Sequence, residues 1–315
     1  MPTSGAFRLG DLNIGGFVIE GEILIGIVLC IITYLITSGG VKGVASVFSK
    51  LVPFMSIAYI LMGLLIIVVN IENVPSAVAM IFRDAFTGTA AVGGFAGAAV
   101  SQIVQTGMAR SVYSNEAGWG TSPMIHASSN TKHPVEQGLW GTFEVFFDTF
   151  VVCTITAFSV IFSGMWTSGQ IGGDLALTAF DQSFGFIGSA MLAIIMIIFT
   201  VTTSGGWFTY YMAILEHMNM KENTLTKVLM KLFYAVRALP GLLWTIYLVK
   251  ISNTGYIWTV VDITSAIPTF VNVFVIFMLS GKYFQLLKDY KARYMGIGKV
   301  DENMVLFYED KEKAQ

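Results

Sequence analysis

The 315-residue chain is 55% hydrophobic and 12% charged, with a net charge of -2, and a soluble globular domain carries about twice that charged share. This balance places the chain in a bilayer, and near-neutrality without an Arg/Lys stripe excludes a nucleic-acid surface. Its cysteines, Cys30 and Cys153, lie far apart inside apolar runs, which argues against a disulfide or thiolate metal framework.

From the N-terminus, MPTSGAFRLGDLNIGG lacks a basic region followed by an apolar one and does not read as a secretory signal. A spanning helix needs about 20 mostly apolar residues to cross roughly 30 Å of hydrocarbon. Seven segments meet or approach this: 17–38, interrupted by Glu20 and Glu22, then 51–70, 89–110, 138–165, 186–215, 233–251 and 256–281. Residues 74–86, VPSAVAMIFRDAF, are too short and too charged to span and read as an interfacial helix, as does GGDLALTAFDQSFG ahead of the fifth segment. The fifth segment is long enough to tilt, or to break near Gly205 and Gly206. Residues 1–285 thus form an all-α transmembrane domain, and 286–315 a polar tail.

Retained loops are enriched in Lys and Arg. Running the first span from outside to inside puts Lys42, Lys50, Arg110, Lys132, Lys221, Lys227, Lys231, Arg237 and the tail on the inner side, leaving Arg8, Arg83 and Lys250 outside. The C-terminus is then cytoplasmic. Seven crossings with an outer N-terminus and no signal lead us to expect further chain upstream of Met1.

Two membrane stretches carry polar or backbone-exposing groups. FTVTTSGGWF, 199–208, ends the apolar run of the fifth span with Thr200, Thr202, Thr203, Ser204 and Trp207. Thr200 and Trp207 stand at i-3 and i+4 from Thr203, on one helix face. Such hydroxyls either let helices approach and bond to backbone carbonyls or bind a ligand. TAAVGGFAGAAVSQ, 89–102, offers Gly93, Gly94 and Gly97, either a small-residue packing seam or a backbone opened toward a ligand.

The segment 107–149, GMARSVYSNEAGWGTSPMIHASSNTKHPVEQGLWGTFEVFFDT, strongly resembles the sodium:alanine (alanine or glycine:cation) symporter family. It carries Arg110, the run Ser114 to Gly118, His126, Pro134 and the pair Asp148–Thr149. The stretches 39–60, 199–211 and IWTVVDITSAIPTFVN are similar to further parts of the family, from about residue 20 onward. Ser111 and Trp119 depart from the common pattern, and three upstream helices usual in the family are absent from this sequence.

The resemblance implies the five-plus-five inverted repeat of the leucine-transporter type, with the seven spans as its fourth to tenth helices. It implies sodium-coupled symport of a small neutral amino acid, alanine or glycine, by a multi-pass protein of the cell membrane. Sodium prefers oxygen ligands, as other hard cations do, and the eighth helix of that fold faces a sodium site, which makes Thr202 and Thr203 its candidate ligands. Gly93, Gly94 and Phe95, in the discontinuous sixth helix, become candidate substrate contacts together with Trp207. Without the first broken helix, the chain alone is expected to insert but not to couple transport.

Charges inside a membrane are costly. Glu144 and Asp148 are expected to pair with basic loop residues such as Arg110, and Asp262 to bond to a neighbouring helix. Arg110, Asn115, Glu116, Asp148 and Asp262 are assigned gating or structural roles. His126, His133 and His217 read as ordinary loop and helix-end residues. No Gly-x-Ser-x-Gly, His-Glu-x-x-His or phosphate-loop motif supports an enzyme. A channel or a non-transporting fragment is the alternative reading.

Overall fold

A computed structural model describes residues 12–14, 17–87, 96–116, 118–170, 172–218, 224–250, 255–302 and 304–307. Two short antiparallel strands, β1 (Leu12–Ile14) and β2 (Phe17–Ile19), pair with Asn13 opposite Val18. The helices that follow are α1 (Gly21–Thr37), α2 (Gly40–Val69), α3 (Val74–Thr87), α4 (Ala96–Asn115), α5 (Ser122–His126) and α6 (Pro134–Phe146). A π-helical segment, Phe147–Val152, leads into α7 (Cys153–Phe162). Then come α8 (Gly172–Phe184), α9 (Phe186–Met218), α10 (Thr224–Val236), α11 (Leu239–Lys250) and α12 (Gly255–Met295).

Among the described residues four helices are long and apolar enough to cross a membrane: Gly40–Val69, Pro134–Phe162, Phe186–Met218 and Thr259–Met295. The pair Thr224–Val236 and Leu239–Lys250, bent by 50°, makes a fifth when counted as one span. The first expected span appears as the 17-residue α1, short for a bilayer. The third is α4, which begins at Ala96, so Gly93, Gly94 and Phe95 lie outside the described residues. The two segments read as interfacial are helices α3 and α8. α12 runs through residue 285, the expected end of the membrane domain, to Met295.

The chain divides into two compact units, residues 1–101 with 151–255, and 102–150 with 256–315. In the first, α2 lies against α7, α8 and α9, and α1 against α9 and α11. Tyr59, Met62 and Ile66 of α2, Ile155 of α7, Phe180 of α8, and Leu192 and Ile195 of α9 form its main buried cluster. The Tyr59 hydroxyl reaches Thr156, a partner that an apolar interior requires of it. A second cluster joins Val44 of α2 to Phe208 and Met212 of α9, with Phe48, Phe233 and Tyr234 packed on it.

α9 is continuous through Gly205 and Gly206, so of the tilt or break open to so long a segment, the break does not occur. In lipid an interrupted helix must find new partners for its freed backbone groups. Gly205 has a packing role instead, since a Cβ at this position would collide with the Phe48 ring. The glycine lets α2 and α9 approach, as small residues do in membrane interfaces.

The second unit holds the end of α4, the loop after it, α5, α6 and α12. Its long helix α12 is bonded at intervals to the segment 110–133, the stretch that carries the family-like motif.

Candidate functional site

The motif loop takes its shape from two glycines and one strained residue. Gly118 and Gly120 have φ of 95° and 84°, in the left-handed region that a Cβ disfavours. Glu116, with φ of 53°, is the one non-glycine residue with positive φ among those described. Backbone strain of this kind persists where surrounding contacts enforce it. The Thr121 hydroxyl donates to Glu116 Oε2 at 2.7 Å, and Trp119 packs edge-on against Tyr113 at 5.5 Å. Trp119, a departure from the common pattern, thus serves to brace the loop.

α12 receives this loop directly. Asn272 Nδ2 donates to the Gly118 carbonyl at 3.0 Å, and a Cβ on Gly120 would lie 2.9 Å from Asn272 Oδ1. Two turns before the loop, Arg110 Nη2 bonds to Asp262 Oδ2 at 3.0 Å. Asp262 therefore does bond to a neighbouring helix. Arg110 finds its carboxylate there, and the acids expected to pair with it take other partners. Asp148 accepts from Ser114 Oγ at 2.7 Å, and Glu144 Oε2 lies 3.2 Å from His126 Nε2.

Asp148 and Thr149 sit on the π-helical segment. A π turn inserts one residue into the helical repeat and recurs at functional sites. Here both side chains reach α4: Asn115 Nδ2 donates to Thr149 Oγ1 at 3.1 Å, beside the Ser114–Asp148 bond. Arg110, Ser114 and Asn115, spaced over the last turns of α4, are thus held by α12 and by the π segment. This polar cluster joins α4 to two helices that carry membrane-length apolar runs, Pro134–Phe162 and Thr259–Met295.

Sequence reasoning missed a second polar group. His133 and Asp289 are both buried, at 0% and 3% exposure. His133 caps α6, its Nδ1 accepting from Val135 N at 3.1 Å, while its Nε2 lies 3.4 Å from Asp289 Oδ2. Arg293 Nε donates to the same carboxylate oxygen at 2.6 Å, and Arg293 Nη2 to the Asp301 carbonyl at 2.8 Å. Burial pushes the Asp289 carboxyl up, but Arg293, the Asp301 backbone N–H and His133 outweigh it and hold it below the ordinary carboxylate value. A 37-residue helix exceeds the bilayer, so these charged last turns of α12 stand outside it. The available signal was His133 ahead of Pro134, a helix-start pattern, and the i,i+4 pair Asp289–Arg293.

In the first unit the hydroxyl stretch of α9 divides. Thr200 Oγ1 donates to the Met196 carbonyl and Ser204 Oγ to the Thr200 carbonyl, both at 2.8 Å. Thr202, 8% exposed, donates to the Ile198 carbonyl at 2.9 Å and lies 3.9 Å from Met55 Sδ. Thr203 is exposed, and no bond engages its hydroxyl among the described residues. Trp207 stacks with Tyr210 and Tyr211 and, with Thr200 and Ser204, lines a cavity between α1, α9 and the α10–α11 bend. Oxygen ligands suit sodium, and of this run Thr203 offers the open one. No group of three or more His, Cys, Asp or Glu that could hold a metal occurs among the described residues.

A model of the sodium:alanine symporter family matches residues 10–302. The chain belongs to the sodium:alanine symporter family. That is a family of transporters, not enzymes, and its members are multi-pass membrane proteins. The chain is 42% identical over 185 residues to the "Uncharacterized transporter YflA" of Bacillus subtilis, covering 58% of this chain and 39% of that protein. It is 31% identical to the "Sodium/proton-dependent alanine carrier protein" of Bacillus sp. PS3, covering 93% of this chain and 66% of the relative. It is 33% identical to the "Sodium/alanine symporter AgcS" of Methanococcus maripaludis, covering 71% and 50%. The chain thus spans from 39% to 66% of the length of these symporter-family relatives.

Proposed function

We propose that this chain belongs to a cation-coupled amino-acid transporter of the cell membrane, moving a small neutral amino acid, alanine or glycine, together with sodium. The observation that carries the reading is the family match over residues 10–302. It is supported by relatives named as sodium- or proton-dependent alanine carriers.

In this reading the seven apolar segments are the fourth to tenth helices of a five-plus-five inverted repeat, with the C-terminus cytoplasmic. Transport proceeds by alternating access. Sodium and substrate act by binding one conformation better than the other, since a ligand shifts an equilibrium only by its differential affinity. Thr203, with Thr202 beside it, contributes hydroxyl oxygens to the sodium shell. Gly93, Gly94 and Phe95 face the substrate, with Trp207 as an aromatic wall. Arg110–Asp262 and Ser114–Asp148 act as gating contacts, because each joins α4 to another element through a polar bond that motion must break.

Labelled-alanine uptake by the natural protein carrying this chain tests the reading. Thr203→Ala is expected to raise the sodium concentration for half-maximal uptake well above that of Thr203→Ser. Unchanged sodium dependence in Thr203→Ala would remove the ion role from this residue.

A further inference from the structure

Arg237 brings a positive charge to the bend between α10 and α11, and its surroundings satisfy that charge incompletely. Its Nε donates to Thr37 Oγ1 at 2.7 Å, Nη2 to the Tyr34 carbonyl at 3.1 Å and Nη1 to the Tyr234 carbonyl. The rings of Tyr34, Tyr234 and Phe208 lie 4.7, 5.5 and 6.0 Å from its Cζ. A guanidinium has five N–H donors. One N–H on each terminal nitrogen is therefore left without a protein acceptor among the described residues. No carboxylate there pairs with the charge. A partly buried cation held only by carbonyls, a hydroxyl and ring faces calls for an anion.

The same arginine borders a cavity of about 430 Å³, within the roughly 300–1,000 Å³ usual for ligand sites. Its walls beside Arg237 are apolar, from Leu29 of α1, Phe233 and Val236 of α10, and Pro240, Gly241 and Leu242 of α11. Two observations set its depth. Thr37, to which Arg237 bonds, is the last residue of α1. On α9, the rise from Phe186 to Trp207 is about 32 Å, a full hydrocarbon thickness, and Trp207, Tyr210 and Tyr211 cluster there like an interfacial aromatic belt. The site therefore lies where lipid headgroups meet acyl chains.

We propose that the α10–α11 bend is a binding site for an anionic phospholipid. The lipid phosphate accepts from the two remaining N–H groups of Arg237, and an acyl chain lies along the apolar walls of Leu29, Phe233, Val236 and Leu242, leaving Trp207 to the substrate. A free phosphate or a small carboxylate would meet the arginine but leave these walls uncovered. A zwitterionic lipid would bring its ammonium group close to the guanidinium.

Detergent-purified protein tests this by native mass spectrometry and thermal unfolding with dioleoylphosphatidylglycerol, dioleoylphosphatidylcholine, inorganic phosphate or alanine. Phosphatidylglycerol is expected to bind about tenfold or more tighter than phosphatidylcholine, whose phosphate can meet the same N–H groups but whose ammonium charge opposes the guanidinium, and to raise the unfolding temperature. Arg237→Gln should abolish that preference, but it also removes bonds to α1. Gly241→Leu is the cleaner probe: Gly241 lines the cavity and a Cβ there meets nothing within 4 Å, so the added side chain takes up cavity space and leaves the bonds of Arg237 in place. It should keep the lipid-free unfolding temperature and lose phosphatidylglycerol binding by about tenfold or more. Equal binding of phosphatidylcholine, equal stabilisation by inorganic phosphate, or undiminished phosphatidylglycerol binding by Gly241→Leu would each overturn the proposal. So would alanine binding that Gly241→Leu abolishes, which would give the cavity to the transported substrate.

Discussion

Replacing Gly120 by alanine perturbs the motif loop in two ways that the structure separates. At φ of 84° an alanine pays the left-handed penalty, about 1–2 kcal/mol. Its Cβ would also stand 2.9 Å from Asn272 Oδ1, so the amide must turn and give up its 3.0 Å bond to the Gly118 carbonyl, about 1 kcal/mol more. The sum, about 2–3 kcal/mol, corresponds to roughly 30- to 150-fold in the population of the ordered loop. Thermal unfolding of the purified protein, followed by tryptophan fluorescence, should show Gly120→Ala clearly below wild type. Gly138→Ala is the control, because Gly138 is helical, lacks the positive φ and has open space at its Cβ; there alanine should be neutral or stabilising by about 0.5–1 kcal/mol. Asn272→Ala removes the clash, so adding it to Gly120→Ala should cost less than the two single effects combined. Equal unfolding temperatures for Gly120→Ala, Gly138→Ala and wild type would refute the reasoning.

Gly205→Leu should push α9 off Phe48 and cost about 1–3 kcal/mol in apparent stability, as overpacking does, and Phe48→Ala should restore part of it; no rescue would mean the glycine serves something other than that contact. Asp262→Asn keeps an acceptor for Arg110 while removing the charge, so its unfolding temperature is the control for any loss of uptake. A gating role then requires that alanine uptake fall far more than stability does, and unchanged uptake would remove it. The Asp289 carboxyl is held below its ordinary value, so its contribution is fully present above the unfolded value of about 3.9 and is lost as pH falls through the lower folded value. Protection of the amides in residues 297–302, corrected for the pH dependence of intrinsic exchange, should fall only below about pH 4, a step absent in Asp289→Asn. The same step in Asp289→Asn would refute the assignment.

Four of the seven expected segments coincide with helices long and apolar enough to cross a membrane, and a fifth with the bent pair α10–α11; these were legible because a bilayer demands long uninterrupted hydrophobic runs. At Gly205 the sequence left a tilt and a break both open, because it shows a glycine's freedom but not the Phe48 ring packed against it. Arg110 was expected to pair nearby, yet Asp262 is 152 positions away, and such pairings depend on helix packing that hydropathy does not encode. The π turn at Asp148–Thr149 is equally silent in sequence, since one inserted residue leaves the apolar pattern almost unchanged. Of the hydroxyl stretch on α9, spacing put Thr200, Thr203 and Trp207 on one face, whereas the cavity is lined by Thr200, Ser204 and Trp207 without Thr203. Spacing did not say that Thr200, Thr202 and Ser204 would bond to their own helix and leave Thr203 open.

The central claim is cation-coupled amino-acid transport, and gradient-driven accumulation measures it most directly. The natural protein carrying this chain, reconstituted in liposomes with an inward sodium gradient, should concentrate labelled alanine or glycine above the external level. A sodium ionophore that collapses the gradient should abolish the accumulation. Uptake that only equilibrates, at the same rate with or without the gradient, would contradict coupling and favour a channel.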